Sequence, residues 1–240
     1  MTTYTARLQA REPIAEGTMA FHFDKPPGFT FKPGQALDIV LGAGTASSEP
    51  EARHAFSIVS APFENELVIA TRMRDSAFKR ALGALPIGAS VMIDGPFGSL
   101  GLHKAAARAG VFIAGGIGIT PFMSILRQAA SHPTPHNLLL LYANHRPEDA
   151  AFLTELQQLE AANPRFRMVA TMTRMDRSAR PWAGLTGRID SGFVQRVASG
   201  LPAPVFYIAG PPGMVEAARQ ALAGAGIDED DVRSEEFHGY

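Results

Sequence analysis

The chain has 240 residues, is 46% hydrophobic and carries a formal net charge of −1, enough to bury cores but too balanced to suggest nucleic acid or an anionic membrane as partner. No apolar run reaches the roughly 20 residues that span a bilayer, and the N-terminal MTTYTARLQAR lacks the apolar centre of a secretory signal, so a cytoplasmic location is expected. Cysteine is absent, which excludes disulfides and thiolate-held iron–sulfur clusters within these residues, and the seven histidines form no H-E-x-x-H or similar group, so no metal site is expected.

In chain order, the first hundred residues read as short strands. Tyr4 to Gln9, the alternating Met19, Phe21 and Phe23, then Ala36 to Leu41, Arg53 to Val59, Leu67 to Met73 and Val91 to Asp94 are β-type runs. Turn-forming stretches separate them: PPG at 26–28, PGQ at 33–35, the polar GAGTASSEPEA at 42–52, SAPFENE at 60–66 and PIG at 86–88. Six such strands predict a small antiparallel β-barrel. One helix interrupts them, capped by Ser76, with Phe78, Ala81 and Leu82 on its apolar face.

After Gly95–Leu102 the pattern changes. Apolar runs at 111–114, 138–143, 167–171, 205–209 and 232–237 alternate with helical stretches at 121–130, 148–162, 190–199 and 214–224. In the second of these helices Phe152, Leu156 and Leu159 share a face. Such alternation predicts a doubly wound, five-stranded parallel sheet covered on both faces. The expected domains are therefore 1–104, the barrel, and 105–240, the α/β domain. There is no internal repeat or low-complexity tract.

Three stretches carry chemistry. In VFIAGGIGITPFMSIL, Val111 to Leu126, an apolar strand breaks at Gly115, Gly116 and Gly118 and restarts as a helix, with Thr120 expected as N-cap and Pro121 as first helical residue. A helix start above glycines favours phosphate, and a dinucleotide pyrophosphate leads the candidates, although the spacing is not G-x-G-x-x-G and a turn that binds nothing is the other reading. RHAFSIVSAP, residues 53–62, sets Phe56 beside Ser57: an aromatic face for a flat ring and a hydroxyl for a heteroatom on its edge, or a plain strand with Phe56 in the core. AGPPGM, residues 209–214, ends a strand and opens a helix at the sheet edge where such folds bind ligands.

Together these stretches resemble the ferredoxin–NADP reductase family. RHAFSIVS is similar to its R-x-Y-S-x-x-S flavin motif, GGIGITP at 115–121 to its nicotinamide-nucleotide motif, AGPPGM to its C-G-x-x-x-M motif, RDSAFKRAL at 74–82 to its flavin pyrophosphate segment, and EEFHGY at 235–240 to its terminal acid-x-aromatic. The resemblance covers nearly the whole chain, in family order. It implies a barrel that holds FAD and a second domain that holds NADPH or NADH, with nicotinamide meeting isoalloxazine between them.

Carried over position by position, Phe56 matches the Tyr that stacks on the flavin, and Ser57 the Ser that bonds flavin N5 and serves catalysis; His54 and Ala55 belong to the same run. Thr71, Arg72 and Met73 would run beside the ribityl chain and ring, with Arg72 or Arg74 neutralising a phosphate. Ser76, with the N–H groups of Ala77 and Phe78, matches the pyrophosphate site. Gly115, Gly116, Gly118 and Thr120, and then Gly210, Pro211 and Met214, are assigned to the nicotinamide dinucleotide. Glu235 is a candidate proton relay, while Phe237 or Tyr240 would cover the flavin face, Tyr240 being equally a candidate for stacking on the FAD adenine. Cofactor choice is read after the second parallel strand, at Asn144 and Arg146; with no acid at the strand end and Arg146 and Arg174 at hand, the balance leans to NADPH.

Two departures stand out. His54 occupies the family's Arg position, and Arg53, one residue earlier on a strand, faces the other way. Ala209 replaces the family's Cys, so no thiol serves the chemistry. The implied reaction is hydride transfer from NAD(P)H to FAD N5, then electron transfer to an external acceptor such as a ferredoxin, flavodoxin or haem protein. The alternatives are a diaphorase acting on small quinones, ferric chelates or free flavin, and a nucleotide-binding subunit without turnover.

Overall fold

The computed structural model describes residues 2–42 and 52–237, so most of the polar loop after residue 42, and Tyr240, lie outside the described residues. The first sheet is built from β1 (Thr2–Ala15), β2 (Thr18–Asp24), β3 (Ala36–Leu41), β4 (Ala52–Ser57), β5 (Glu66–Arg72) and β6 (Ser90–Phe97), with α1 (Ala77–Ala84) between the last two. The strands are antiparallel in the order β4-β3-β6-β1-β2-β5. The two edges meet just past β4, where Ile58 bridges Ile69 and the Val59 N–H donates to Val68 O at 2.8 Å. Alternation puts Phe21, Phe23, Leu37, Ile39, Ile58 and Ile69 in one core cluster, which Phe78 and Leu82 of α1 join.

β1 is longer than the expected Tyr4 to Gln9. Its first half pairs with β6 and its second with β2, across an irregularity between Leu8 and Ala10. The second half stands largely exposed, so it lacks the apolar alternation that marks a half-buried strand.

The second sheet comprises β7 (Gly110–Gly115), β8 (Leu138–Asn144), β9 (Phe166–Met172), β10 (Leu185–Thr186), β11 (Val205–Gly210) and β12 (Val232–Glu236), all parallel, in the order β10-β9-β8-β7-β11-β12. Five strands match the sequence reading; the sixth, β10, is two exposed residues long, too short for any period. Helices α2 (Thr120–Ser131), α3 (Leu153–Ala162), α4 (Ser191–Ala198) and α5 (Pro212–Gly224) cover it. α3 begins five residues later than expected because Phe152 takes a left-handed conformation, φ 59°, after a short 3-10 turn at Pro147–Asp149. α5 begins two residues earlier, with proline in its first turn.

The two sheets share a core. Ala20, Val59, Val68 and Ala70, on the barrel's other face, cluster with Phe122, Met123 and Ile125 of α2 and with Tyr142 of β8. A buried hydrogen bond from Ser124 Oγ to Ser60 O, 2.7 Å, crosses the same junction.

The connector from Gly98 to Ala109 is anchored at Tyr207. The Tyr207 hydroxyl accepts from the His103 backbone N–H (2.9 Å) and from Arg233 Nη1 (3.2 Å), so its own proton points to His103 Nδ1 at 2.9 Å. The imidazole is thereby the neutral Nε2–H tautomer, donating to Arg108 O at 3.2 Å. Burial lowers the pKa of His103, and equally of His136, whose ring meets it edge-on at 4.8 Å. Since the folded values lie below the unfolded value of 6.5, the unfolded chain binds protons first. Unfolding free energy is expected to be level above pH 6.5 and to decline as pH falls through the lowered folded values. Tyr207→Phe should cost about 1–3 kcal/mol by stranding buried polar groups. Urea denaturation at stepped pH checks both; a profile flat below pH 6.5 contradicts the assignment.

Candidate functional site

At the C-terminal end of β7 the backbone passes through Gly115 into a 3-10 turn, Gly116–Ile119, that runs directly into α2. Thr120 is therefore not an N-cap: it is already helical (φ −56°, ψ −48°) and its buried hydroxyl donates to Ile117 O at 3.1 Å. The first helical N–H groups, which lack intrahelical acceptors, move back to the glycines themselves.

The glycines divide the work. A Cβ on Gly118 would overlap the Ala209 carbonyl oxygen and sit 2.7 Å from Gly210 Cα, so this glycine serves close packing of the turn on β11. Gly115 and Gly210 face each other under the Met214 side chain, where a Cβ on Gly115 would lie 2.9 Å from Met214 Cγ. Gly116 is different. It has φ +54° and open space where a side chain would be, and the Tyr142 hydroxyl stands 3.2 Å from its carbonyl oxygen and 3.1 Å from Ala151 O. Burial keeps that phenol protonated.

Over this edge lies a cavity of about 450 Å³. Its walls come from both sheets: Thr18 and Arg72 from the barrel, and Gly115, Gly116, Asn144, Arg174, Arg188, Pro211, Gly213 and Met214 from the α/β half. Asn144 is 4% exposed beside the Tyr142 hydroxyl, and neither its Oδ1 nor its Nδ2 has a hydrogen-bond partner within 3.5 Å, an arrangement that suits a polar ligand. Arg174 and Arg188 line the cavity without an ion pair among the described residues. Arg146, expected to pair with a 2′-phosphate, is engaged elsewhere: its guanidinium holds Asp149 through two bonds (3.0 and 2.9 Å) and Glu16 at 3.2 Å. Asp149 also binds Arg72 at 3.1 Å, tying that cavity residue to the same network.

On the barrel side, Phe56 is 2% exposed, with the half-buried His54 stacked on it at 4.9 Å and Phe78 at 5.9 Å. The Ser57 hydroxyl is buried and has no partner. Arg53 does point the other way, to Asp38 (3.0 Å) and Asp94, so it leaves the family's phosphate-binding Arg without a substitute. Ala55 is exposed beside it. Thr71 is fully buried, and Met73 lies against Gly83 of α1. Ser76 caps α1 as expected, accepting from the Lys79 N–H at 3.2 Å, and Ser76 and Ala77 stand exposed at the helix start.

At the far edge, Glu235 pairs with Ala209 across β11 and β12, and burial raises its pKa above the ordinary carboxylate value. Phe237 donates its backbone N–H to Gly210 O at 2.9 Å and packs against the core shared by the sheets. Thus Arg72, Gly115, Gly116, Asn144, Pro211 and Met214 share one cavity, while Gly118, Thr120 and Arg146 serve structure around it. Thr18, Gly213 and Arg188 went unread in the sequence: the first opens β2 directly after a hairpin turn, the second sits inside a Pro-Gly run, and Arg188 follows a two-residue strand with no pattern.

A family model described as an oxidoreductase NAD-binding domain matches residues 112–220. The chain is 29% identical over 245 residues to ferredoxin–NADP reductase B of Sorangium cellulosum, covering 98% of this chain and 97% of that one. Over nearly its whole length the chain is thus similar to a ferredoxin–NADP reductase. A solved ferredoxin–NADP⁺ reductase family structure from Neisseria gonorrhoeae, with bound FAD and NADP, superposes with a TM-score of 0.81 at 22% identity over 98% of each chain. A further relative is the glycine betaine monooxygenase reductase subunit of Chromohalobacter salexigens, 27% identical over 92% of this chain; the chain spans 60% of that protein's length. The resemblance read from the sequence departs from that family's pattern at His54 and Ala209.

The division among glycines is testable by thermal unfolding. Gly118→Ala is expected to destabilise by about 2–3 kcal/mol through forced overlap with the β11 backbone. Gly213→Ala, where nothing lies within 4 Å, is expected to be neutral or to stabilise by up to about 1 kcal/mol. Equal effects would contradict the assignment.

Proposed function

We propose that the protein is an FAD-dependent oxidoreductase that takes a hydride from NADPH and hands electrons to a separate redox protein. The observation that carries this reading is a cavity walled by both sheets that combines an open glycine turn, an unsatisfied Asn144 and two arginines with no ion pair among the described residues.

Two features of the barrel fit FAD: the buried, unpartnered Ser57 hydroxyl, and the exposed start of α1 at Ser76 and Ala77, where a helix N-terminus favours an anion. FAD, when bound, supplies a ring that accepts a hydride and releases electrons singly. The chain's own groups then position and shield. Ser57 would hydrogen-bond the flavin N5 edge, and Phe56 would meet the ring only once His54 turns away from it. Gly116 and the α2 start would receive the dinucleotide pyrophosphate, and Asn144 a neighbouring polar group. Glu235, whose affinity for a proton burial raises above that of an ordinary carboxylate, would serve as a proton relay near the reacting edge. Ala209 supports a mechanism that uses no thiol.

The lean to NADPH passes from Arg146 to Arg174 and Arg188, since a free guanidinium can pair with the 2′-phosphate and an engaged one cannot. For the acceptor, relatives named as reductase components of glycine betaine and propane monooxygenases support a protein partner rather than a small molecule. Steady-state kcat/KM for NADPH and NADH is the test. Arg174→Ala is expected to lower the NADPH to NADH preference about tenfold, a loss of one charge-assisted pair. Arg146→Ala should leave the preference unchanged, and the reverse pattern would overturn the assignment.

A further inference from the structure

The 3-10 turn Pro147–Asp149 stands where the barrel, the cavity and the long loop after β9 converge. Asp149 binds Arg72 and Arg146 as described, whereas its neighbour Glu148 makes no ion pair among the described residues. Glu148 works instead through hydrogen bonds in two directions. Its backbone oxygen accepts the Glu16 N–H at 2.8 Å from the β1–β2 turn. Its carboxylate accepts from Ser178 Oγ (3.0 and 2.9 Å), the Ala179 N–H (2.7 Å) and the Arg180 N–H (3.1 Å).

Apart from Met175 and Trp182, which pack against the shared core, those contacts are what ties the middle of this loop to the rest of the chain. The roots of loop 173–184 are tied to the sheet: Thr173 N–H to Asn144 O at 3.0 Å, Arg174 N–H to His145 O at 2.8 Å, and beyond it Gly187 N–H to Met172 O at 2.9 Å. Between Met175 and Pro181, among the described residues, every hydrogen bond reaching beyond the loop ends on the Glu148 carboxylate. Arg174 caps the 3-10 turn Met175–Arg177, so the residues that Glu148 grips follow directly on the turn that begins at the cavity arginine. Three donors converging on one unpaired carboxylate give short, charge-assisted bonds, and the lowered Glu148 pKa agrees: burial pushes it up, but its own N–H, Ser178, Ala179 and Arg180 outweigh that.

We propose that Glu148 is a positioning residue that holds loop 173–184 so that Arg174 is presented to the 2′-phosphate of NADPH. The proposal rests on the dinucleotide reading of the cavity. It gives the β8–α3 turn a second duty besides joining the sheets: the residue that touches the barrel at Glu16 also sets the nucleotide-selecting loop.

The test uses the FAD-loaded protein and two readouts other than turnover. Trp182, the sole tryptophan, lies in this loop with Nε1 bonded to Leu185 O at 2.8 Å, so its fluorescence reports equilibrium titration with NADP⁺ and NAD⁺. Limited trypsinolysis reports the loop without any ligand: Arg177–Ser178 is cleavable, whereas Arg180 precedes a proline. Glu148→Ala is expected to be cut at Arg177 several-fold faster than wild type, and to bind NADP⁺ about tenfold more weakly with NAD⁺ affinity nearly unchanged. Glu148→Gln, which keeps an acceptor oxygen for the two N–H groups, should remain within about threefold of wild type. Ser178→Ala, a milder change, should move both readouts the same way and serves if Glu148→Ala does not fold. Wild-type cleavage and NADP⁺ affinity in Glu148→Ala would overturn the proposal alone, as would equal weakening of NADP⁺ and NAD⁺. A wild-type protein that binds neither dinucleotide would overturn both the cavity reading and this inference.

Discussion

Gly118 lies so close to the backbone of Ala209 and Gly210 that no side chain fits between them. That single close approach brings the turn after β7 onto the end of β11, and much of the cavity's shape follows. With the turn drawn in, the helical backbone starts at Gly116 rather than Thr120, and Gly115 and Gly210 meet beneath Met214. What stays open is Gly116 and the first turn of α5, two helix starts whose partial positive charge faces one space. Two helix starts opening on one space suit an anionic ligand.

The second organising fact is that the cavity belongs to neither sheet alone. A continuous apolar core and the Ser124 to Ser60 bond set barrel and parallel sheet together, and the Arg72–Asp149–Arg146–Glu16 network ties them at the rim. Burial of apolar area fixes the distance between the halves, while the half-exposed charges at the rim add orientation more than stability. Arg146, immediately before the short turn, and Glu148, within it, illustrate how charged side chains two residues apart take separate duties: one joins the sheets and the other steadies a loop.

Much of this was legible in the residues. Alternation at Met19 to Phe23 and the apolar runs from Val111 onward marked both sheets, because half-buried and fully buried strands have distinct periods. Ser76 as a cap and the opposite orientation of Arg53 and His54 also followed from local rules. What stayed hidden depends on contacts between distant segments. Nothing local tells that Gly118 serves packing and Gly116 openness, since both are simply glycines in a turn. Nothing local commits Arg146 to Asp149 and Glu16 and leaves Arg174 and Arg188 without an ion pair among the described residues, and the burial of Phe56 depends on Phe78, a ring distant in sequence, as well as on His54. Thr120 was misread as a cap because the helix rules see residue type, whereas the preceding 3-10 turn is imposed by β11.

The central claim is that one cavity, walled by both sheets, brings a nicotinamide dinucleotide to an FAD held by the barrel. Anaerobic titration of the FAD-loaded protein with NADPH, followed by the visible flavin absorption, tests it most directly. The account predicts that the flavin band bleaches completely at one equivalent of NADPH per bound FAD. Protein that takes up no FAD, or bound flavin that keeps its absorption in excess NADPH and NADH, would contradict it.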